Sequence, residues 1–549
     1  MTGVARAARQ PHIGLVIVAS AAGTVFEWYD FFIFGSLAGI IGTHFYSALG
    51  PTQGYLAALL TFAAGFIVRP FGAVVFGRIG DVVGRKRAFI VTIMVMGLAT
   101  FAVAFLPDYA TIGLAAPIAL IMVRVLQGFA IGGEYGGAAI YVAEHVGPTH
   151  RGFATGWIQA AAGMGLALAL VVIIGVRAEM SDQDFAAWGW RIPFGVSVLL
   201  LAVSLWIRLS LEESPIFRRI QEEGLSSKAP LSEAFLDGRN LRVMLAALFG
   251  ILAAQGVVWY TAQFYTQVFL EKVLRVAPNE KDILILVVTL VGLPLYMLFA
   301  WLSDRIGRKP VMLAGLLMAA VGFIPMFQML TAAVNPALAS AAARTPVIVS
   351  ADPGGCAFEF DPIGKTKFLH ACDIAKSTLT GMGVPYRNAA AAPGAPATVR
   401  IGSASMAAPD GTRLDATGLA NARRAFETQL KSALAASGYP TSAFVDVHHV
   451  REAVLILLYF IVASALLYAP QAAALVELFP TRIRYTALSV PYHVGVGWFG
   501  GLLPAIVFAI VAATGNLYSG LWYPVIVSAV GFVVTLLFVP ETKGWRIDT

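Results

Sequence analysis

The chain has 549 residues, of which 58% are hydrophobic and 13% charged, with a mean hydropathy of +0.76. A soluble core of this size has no use for so much apolar surface, so composition excludes an ordinary water-soluble domain and requires a chain that faces lipid. The net charge of +7 is spread through short loops, which excludes the clustered basic face of a nucleic-acid binder.

Apolar runs of about 20 residues match the thickness of a bilayer, and the first six are predicted near Ile13–Phe34, Tyr55–Phe76, Ala88–Leu106, Ile118–Tyr141, Phe153–Val176 and Ile192–Leu211. The opening run, Ile13 to Ile41, is too long for a signal-peptide core, carries Glu27 and Asp30 and lacks a small-residue cleavage site, so no cleaved leader is expected. Ser210–Arg242, with Glu212, Glu213, Arg218, Arg219, Glu222, Glu223 and Lys228, reads as a polar, mostly helical connector. The second six spans follow near Val243–Phe269, Leu284–Leu302, Val311–Leu330, Ala453–Leu475, Tyr485–Ala512 and Leu521–Val539. The expected architecture is an all-α polytopic membrane protein of two six-helix halves, with a small α+β insert between spans nine and ten. Its units are a first half over 1–211, a connector over 212–242, three helices over 243–330, the insert over 331–449, and three closing helices with a tail over 450–549.

Lys and Arg in short loops set orientation. Arg78, Arg85, Lys86 and Arg87 follow span two, Arg151 follows span four, Arg305, Arg308 and Lys309 follow span eight, and Arg482 and Arg484 follow span ten. The loops His44–Gly54, Pro107–Pro117 and Thr514–Gly520 contain neither residue type. Both termini are therefore expected in the cytoplasm of a cell whose inner (plasma) membrane holds the chain, with Arg6 and Arg9 anchoring the N-terminus and the insert lying outside.

That insert runs to roughly 115 residues, where connections in compact folds are usually about 4–6. Pro346–Val349, Ala357–Phe360 and Ala397–Ile401 have strand character, Leu419–Ala436 reads as a helix, and Ala389–Pro396 as a flexible joint. The two cysteines, Cys356 and Cys372, both fall here, as a disulfide in an oxidising exterior or as two free thiols. Gly364-Lys365-Thr366 imitates a phosphate loop, but Glu359 stands where that pattern needs glycine.

One turn occurs twice: Gly77-Arg-Ile-Gly-Asp81-Val-Val-Gly84-Arg85-Lys86-Arg87 and Ala300-Trp-Leu-Ser-Asp304-Arg-Ile-Gly307-Arg308-Lys309. The copies are about 220 residues apart, the length of six spans with their loops, so the chain reads as two similar halves. Inside the spans, ionisable residues mark an internal pathway. Glu27 and Asp30 share a face of span one. Span four carries Arg124 and Gln127, with Glu134 further along. A carboxylate facing an Arg that cannot discharge can gain and lose a proton, the minimum for proton coupling; a permanent structural pair is the alternative. Gly128, Gly132 and Gly136 permit close helix packing. Solute contacts are expected from Arg124, Gln127, Tyr29, Gln159, Gln255, Trp259, Tyr260, Gln263, Tyr296, Gln471, Tyr492 and His493. Arg69 reads as an anion contact or a structural charge, and His493 as a proton shuttle or a bonded helix residue.

The repeated turn resembles the signature loop of the major facilitator superfamily of secondary transporters. Gly23–Phe31, Phe66–Gly72, Arg124-x-x-Gln127-Gly128, Leu211–Phe217, Glu477–Arg484 and Pro540–Gly544 narrow the resemblance to its metabolite:proton symporter branch. The resemblance implies a carrier of a small organic acid, or of a zwitterionic osmolyte such as proline or betaine. It gives Asp30 and Arg124 coupling roles, to which the ionisable residues Glu27 and Glu134 read from the spans are added, and gives Asp81, Arg85, Asp304 and Arg308 cytoplasmic gate roles. A carboxylate at a helix end can hold the N-terminus of a neighbouring helix in one state of a rocking cycle, although loop capping would use the same contact. Ala300 departs from the glycine of the pattern, which implies a weaker gate in that half. A transporter-like sensor or an ectoenzyme would need an output module or a catalytic cluster. His370, His448 and His449 lack metal-ligand spacing, so no enzyme, cofactor or metal is expected, and a monomer is expected to suffice.

Overall fold

The computed structural model describes residues 13–49, 51–209, 213–224, 227–359, 368–443 and 447–547. Arg6, Arg9, Leu211, Glu212, Phe360, Gly364-Lys365-Thr366 and the side chains of His448 and His449 lie outside the described residues.

Among the described residues, twelve helices are long and apolar enough to cross a membrane: Val16–Ser36, Ala57–Val82, Arg85–Val103, Ala115–His145, Arg151–Ala178, Arg191–Leu209, Gly238–Val273, Pro278–Ile306, Arg308–Val334, Val450–Leu478, Arg484–Thr514 and Ser519–Phe538. They are numbered one to twelve below. Several extend beyond the apolar runs because polar residues finish them; span seven, for example, starts behind Asp237, whose carboxylate accepts from the amides of Arg239 and Asn240. The halves meet along two seams, span five against span eight and span two against span eleven.

The glycines of span four act by packing. A Cβ at Gly128 would lie 1.9 Å from the carbonyl oxygen of Gly65, and one at Gly132 2.4 Å from that of Arg69, so spans two and four touch through their backbones. Gly136 instead faces Ser489 of span eleven. Spans seven and eleven contain π-helical stretches, Thr261–Tyr265 and His493–Gly500, which turn Gln263 and His493 out of regular α-helical phase.

Between spans nine and ten the chain builds a four-stranded sheet of order β2-β1-β3-β4 from Val347–Ala351, Tyr386–Ala390, Thr398–Ile401 and Ala404–Ala407 (β1 to β4). β1 pairs parallel with β2 and antiparallel with β3. Helix Ala371–Gly381 lies between β1 and β2, and helix Ala416–Ala436 follows β4. The strand expected at Ala357–Phe360 is absent over Ala357–Glu359. The amide of Ala357 is drawn 2.8 Å to Asp373 Oδ1, and Cys356 is bonded to Cys372, so this segment is stitched to a helix rather than a sheet edge. The joint expected at Ala389–Pro396 begins as strand, since Ala389 and Ala390 pair with Ser350 and Ala351, and Gly394 donates to Asp352 Oδ2 at 2.8 Å.

The insert touches both halves. Arg424 donates to the carbonyl of Ser47, before span two, at 2.9 Å. On the other side Tyr386 donates to the carbonyl of Ala512, Asn388 donates to that of Ala513 at 3.0 Å, and the amide of Ala443 reaches the carbonyl of Arg275 at 3.0 Å. One end of the bundle is thus capped by the insert, and the other carries the two signature loops.

Candidate functional site

At the signature-loop end, Asp81 finishes span two and accepts from the amides of Tyr485 and Thr486, at 3.2 and 2.9 Å, and from Thr486 Oγ1 at 2.7 Å. Asp304 near the end of span eight accepts from the amides of Gly152 and Phe153 at 2.9 and 2.8 Å. Each carboxylate therefore caps the first turn of a helix in the opposite half, where unpaired amides and the helix dipole favour negative charge. Around each cap sits an ion cluster. Glu144, at the end of span four, binds Arg85 and, at 2.9 Å, Arg484. Glu477, at the end of span ten, binds Arg151 at 2.8 Å and Arg308 at 3.4 Å, and Arg308 also holds Asp304 at 2.6 Å. Each cluster joins arginines from both halves through one buried carboxylate. Glu213 caps span three through the amide of Lys86 at 3.2 Å. Glu541 caps span nine through those of Arg308 and Lys309, both at 2.9 Å.

Ala300 finds its space in the partner helix. A Cβ at Gly156 would lie 2.5 Å from the Ala300 Cβ, whereas in the first half Gly77 itself approaches Thr486. The small residue has moved to the other side of the seam, and Asp304 keeps both amide bonds.

Midway along the bundle, between the halves, a narrow cavity of about 10 Å³, room for a single water, is lined by Glu27, Trp28, Phe31, Arg69, Ile131, Tyr135, Tyr492 and His493. The Arg69 guanidinium lies 4.1 Å from the ring centroid of Phe66, and that of Arg124 4.2 Å from Phe34. Arg124 does not pair directly with Asp30. It donates to Gln127 Oε1 at 2.7 Å, and Gln127 donates to Thr100 Oγ1 at 2.6 Å; Thr100 is the hydroxyl beside Asp30, whose Oδ1 has no hydrogen-bond partner. The direct buried pair is Glu134 with Arg208, and Arg208 packs against Gly23 of span one. Arg208 was not among the residues expected from sequence, nor were Glu144, Glu477, Arg151 and Arg484 expected as ion-pair partners. The available signal for Arg208 was a guanidinium in the otherwise apolar end of span six.

Most of the remaining expected residues converge on this interior. Gln159 donates to Tyr135 Oη at 3.0 Å and to the carbonyl of Tyr468 at 2.9 Å, and the Tyr135 and Tyr492 rings stack at 3.7 Å. Trp259 lies 4.7 Å from Trp28, and Tyr296 reaches Ser464 at 3.3 Å beside Gln263. Gln255 Oε1 and both ring nitrogens of His493 are buried without a protein partner, and Trp259, Tyr260 and Gln471 lie beside Tyr296, Arg69 and Tyr135 without closing a well-formed hydrogen bond, a concentration of hydrogen-bonding capacity suited to a polar solute. Tyr29 points elsewhere: its hydroxyl donates to the carbonyl of Pro193 in span six at 2.7 Å.

Comparison with known proteins agrees with this geometry. The family model described as sugar (and other) transporter matches residues 15–243 and 433–548, and that described as MFS/sugar transport protein matches 148–352. The chain is 36% identical over 326 residues to the shikimate transporter of Escherichia coli, covering 57% of this chain and 72% of the relative. It is 33% identical over 318 residues to the proline/betaine transporter of Salmonella typhimurium, covering 57% and 63%. The solved proton:xylose symporter XylE, bound to 6-bromo-6-deoxy-D-glucose, superposes with a TM-score of 0.64 at 16% identity over 98% of both chains, which establishes a shared fold. Two halves, mirrored inter-half caps and a family match along both halves make this chain a member of the sugar (and other) transporter family within the major facilitator superfamily.

Proposed function

We propose that the protein is a secondary active transporter that imports a small organic acid together with protons by alternating access. The observation that carries this reading is the pair of guanidiniums, Arg69 and Arg124, held at aromatic faces between the halves next to the buried carboxyls Glu27 and Asp30. Fixed cations attract the solute carboxylate, and acids that exchange protons set whether those cations are already compensated. Asp30 is the coupling acid, tied to Arg124 through Gln127 and Thr100. Glu27 is its partner in the cavity, and Glu134 with Arg208 anchors the same half. Asp81 with Arg85 and Asp304 with Arg308 form the gate at the signature-loop end, which the loop charges assign to the cytoplasm. Both termini then lie inside and the 331–449 insert, an α+β unit, outside the inner membrane. Transport needs no enzymatic step and no second copy of the chain.

A zwitterionic solute is the second reading, favoured by the aromatic walls of Trp28, Phe31, Phe66, Trp259 and Tyr260, since aromatic faces also recognise quaternary ammonium groups. Uptake into proteoliposomes of labelled shikimate, 2-oxoglutarate, proline and glycine betaine, with and without an imposed proton gradient, separates them. An organic acid is expected to accumulate only with the gradient. Accumulation of betaine alone would replace the first reading by the second, and gradient-independent equilibration of every solute would remove proton coupling.

A further inference from the structure

Where the insert meets the bundle there is a cavity of about 410 Å³, within the usual range for small-molecule sites. Three bodies wall it: Tyr55 just before span two, Glu271 and Lys272 at the end of span seven with Arg275 just beyond it, and Glu427 and Lys431 of helix Ala416–Ala436. Its acids are already matched. Glu271 binds Lys272 at 2.7 Å and Lys281 at 2.8 Å, and Glu427 binds Lys431 at 2.8 Å. Arg275 donates to the carbonyl of Pro440 and, among the described residues, has no carboxylate within ion-pair distance. It is also the one non-glycine residue among those described with a left-handed backbone, φ 62°, a conformation secured by the bond from the Ala443 amide to its carbonyl. Such backbone persists where its surroundings enforce it, and it clusters at ligand sites.

We propose that this cavity is a second solute site that takes a small carboxylate on Arg275 before the solute passes to the central cavity. The carboxylate supplies the negative charge that the walls lack, and the Tyr55 ring, over which Lys272 sits at 4.2 Å, closes the side belonging to the first half. Because Tyr55 belongs to one half and Arg275 to the other, an occupied site bridges the two halves on the insert side, where they must part for solute to enter. The choice of ligand class rests on the organic-acid reading above.

The test uses purified full-length protein carrying Ala435→Cys, which places a single reactive thiol on the cavity wall because Cys356 and Cys372 are joined. The rate of maleimide labelling is followed against shikimate, with chloride and inorganic phosphate at matched ionic strength. Shikimate is expected to slow labelling saturably, and Arg275→Gln to raise the half-protecting concentration about tenfold, the size of one lost charge-assisted bond. Arg275→Lys should give an intermediate shift, and it serves as the reading if the Gln variant fails to fold. Arg124→Gln, which disables the central site, should leave protection intact. The proposal is overturned by no protection in folded protein, by equal protection from chloride or phosphate, or by protection that survives Arg275→Gln and vanishes with Arg124→Gln. Protection without proton-linked uptake in proteoliposomes from the same preparation would sink the transport reading and leave the second site standing.

Discussion

Asp30 and Arg124 do not touch, and that spacing sharpens what each substitution should do. Asp30→Asn is expected to abolish accumulation driven by a proton gradient while leaving solute exchange at least partly intact, because Arg124 keeps its Gln127 contact. Counterflow and gradient-driven uptake measured on the same vesicles check this; wild-type accumulation by the variant would move coupling to Glu27 or Glu134. Arg124→Gln is expected to weaken carboxylate binding tenfold or more, and Arg124→Lys less, since Lys keeps the charge but loses the planar fork. In the insert, Glu359 is a buried carboxyl pushed up to about 8 by burial, then by Asp373, against the smaller opposing pull of Arg423 and Lys376. A carboxyl whose folded pKa lies above its unfolded one gives stability that is fully present below the unfolded pKa, about 4.3, and is lost as pH rises toward the folded value. Protease resistance of the insert in the full-length protein is therefore expected to fall from pH 5 to pH 8, and Glu359→Gln to flatten the trend. Glu359, outside the spans, was not read as a buried carboxyl, whereas Glu27 and Asp30 were legible from sequence because charge in an apolar run is conspicuous. Arg208 and Glu144 were not, because their worth depends on which helices cross, and nothing local to either records that.

At the scale of elements, the seam between spans five and eight makes the clearest claim. Gly156→Ala is expected to disturb it, since the new Cβ would meet Ala300, and Ala300→Gly should restore transport in the double variant while changing little alone. Uptake rates of the four proteins form a double-mutant cycle, and additive losses would show that the two positions do not share space. The twelve spans were readable because bilayer thickness writes a length into the sequence. The insert was less so. β1 opens with a β-branched apolar run and β3 carries apolar alternation, whereas β2, Tyr-Arg-Asn-Ala-Ala, has neither and pairs at the sheet edge. The apparent strand at Ala357 lost its pairing to a side-chain bond from Asp373, a competition invisible to local pattern.

For the whole molecule, the question is how an added unit coexists with two rocking halves. Replacing residues 345–443 by a short Gly/Ser linker is expected to preserve membrane insertion and maximal proton-linked uptake, because helix neighbours in bundles need only about 2–8 connecting residues. The half-saturating concentration of solute should rise, because the deletion removes one wall of the outer cavity. A folded deletion with no transport would make the insert an obligatory part of the cycle. The caps at the opposite end have an evolutionary consequence. Asp304 grips Gly152 and Phe153 through their peptide amides alone. At Gly152 the close grip leaves no room for a side chain, since a Cβ there would lie 2.8 Å from Asp304 Oδ1. At Phe153 it uses the main chain alone, so that residue is free to drift as long as a helix still begins there, and the lineage can explore new solutes on one half without losing its hold on the other.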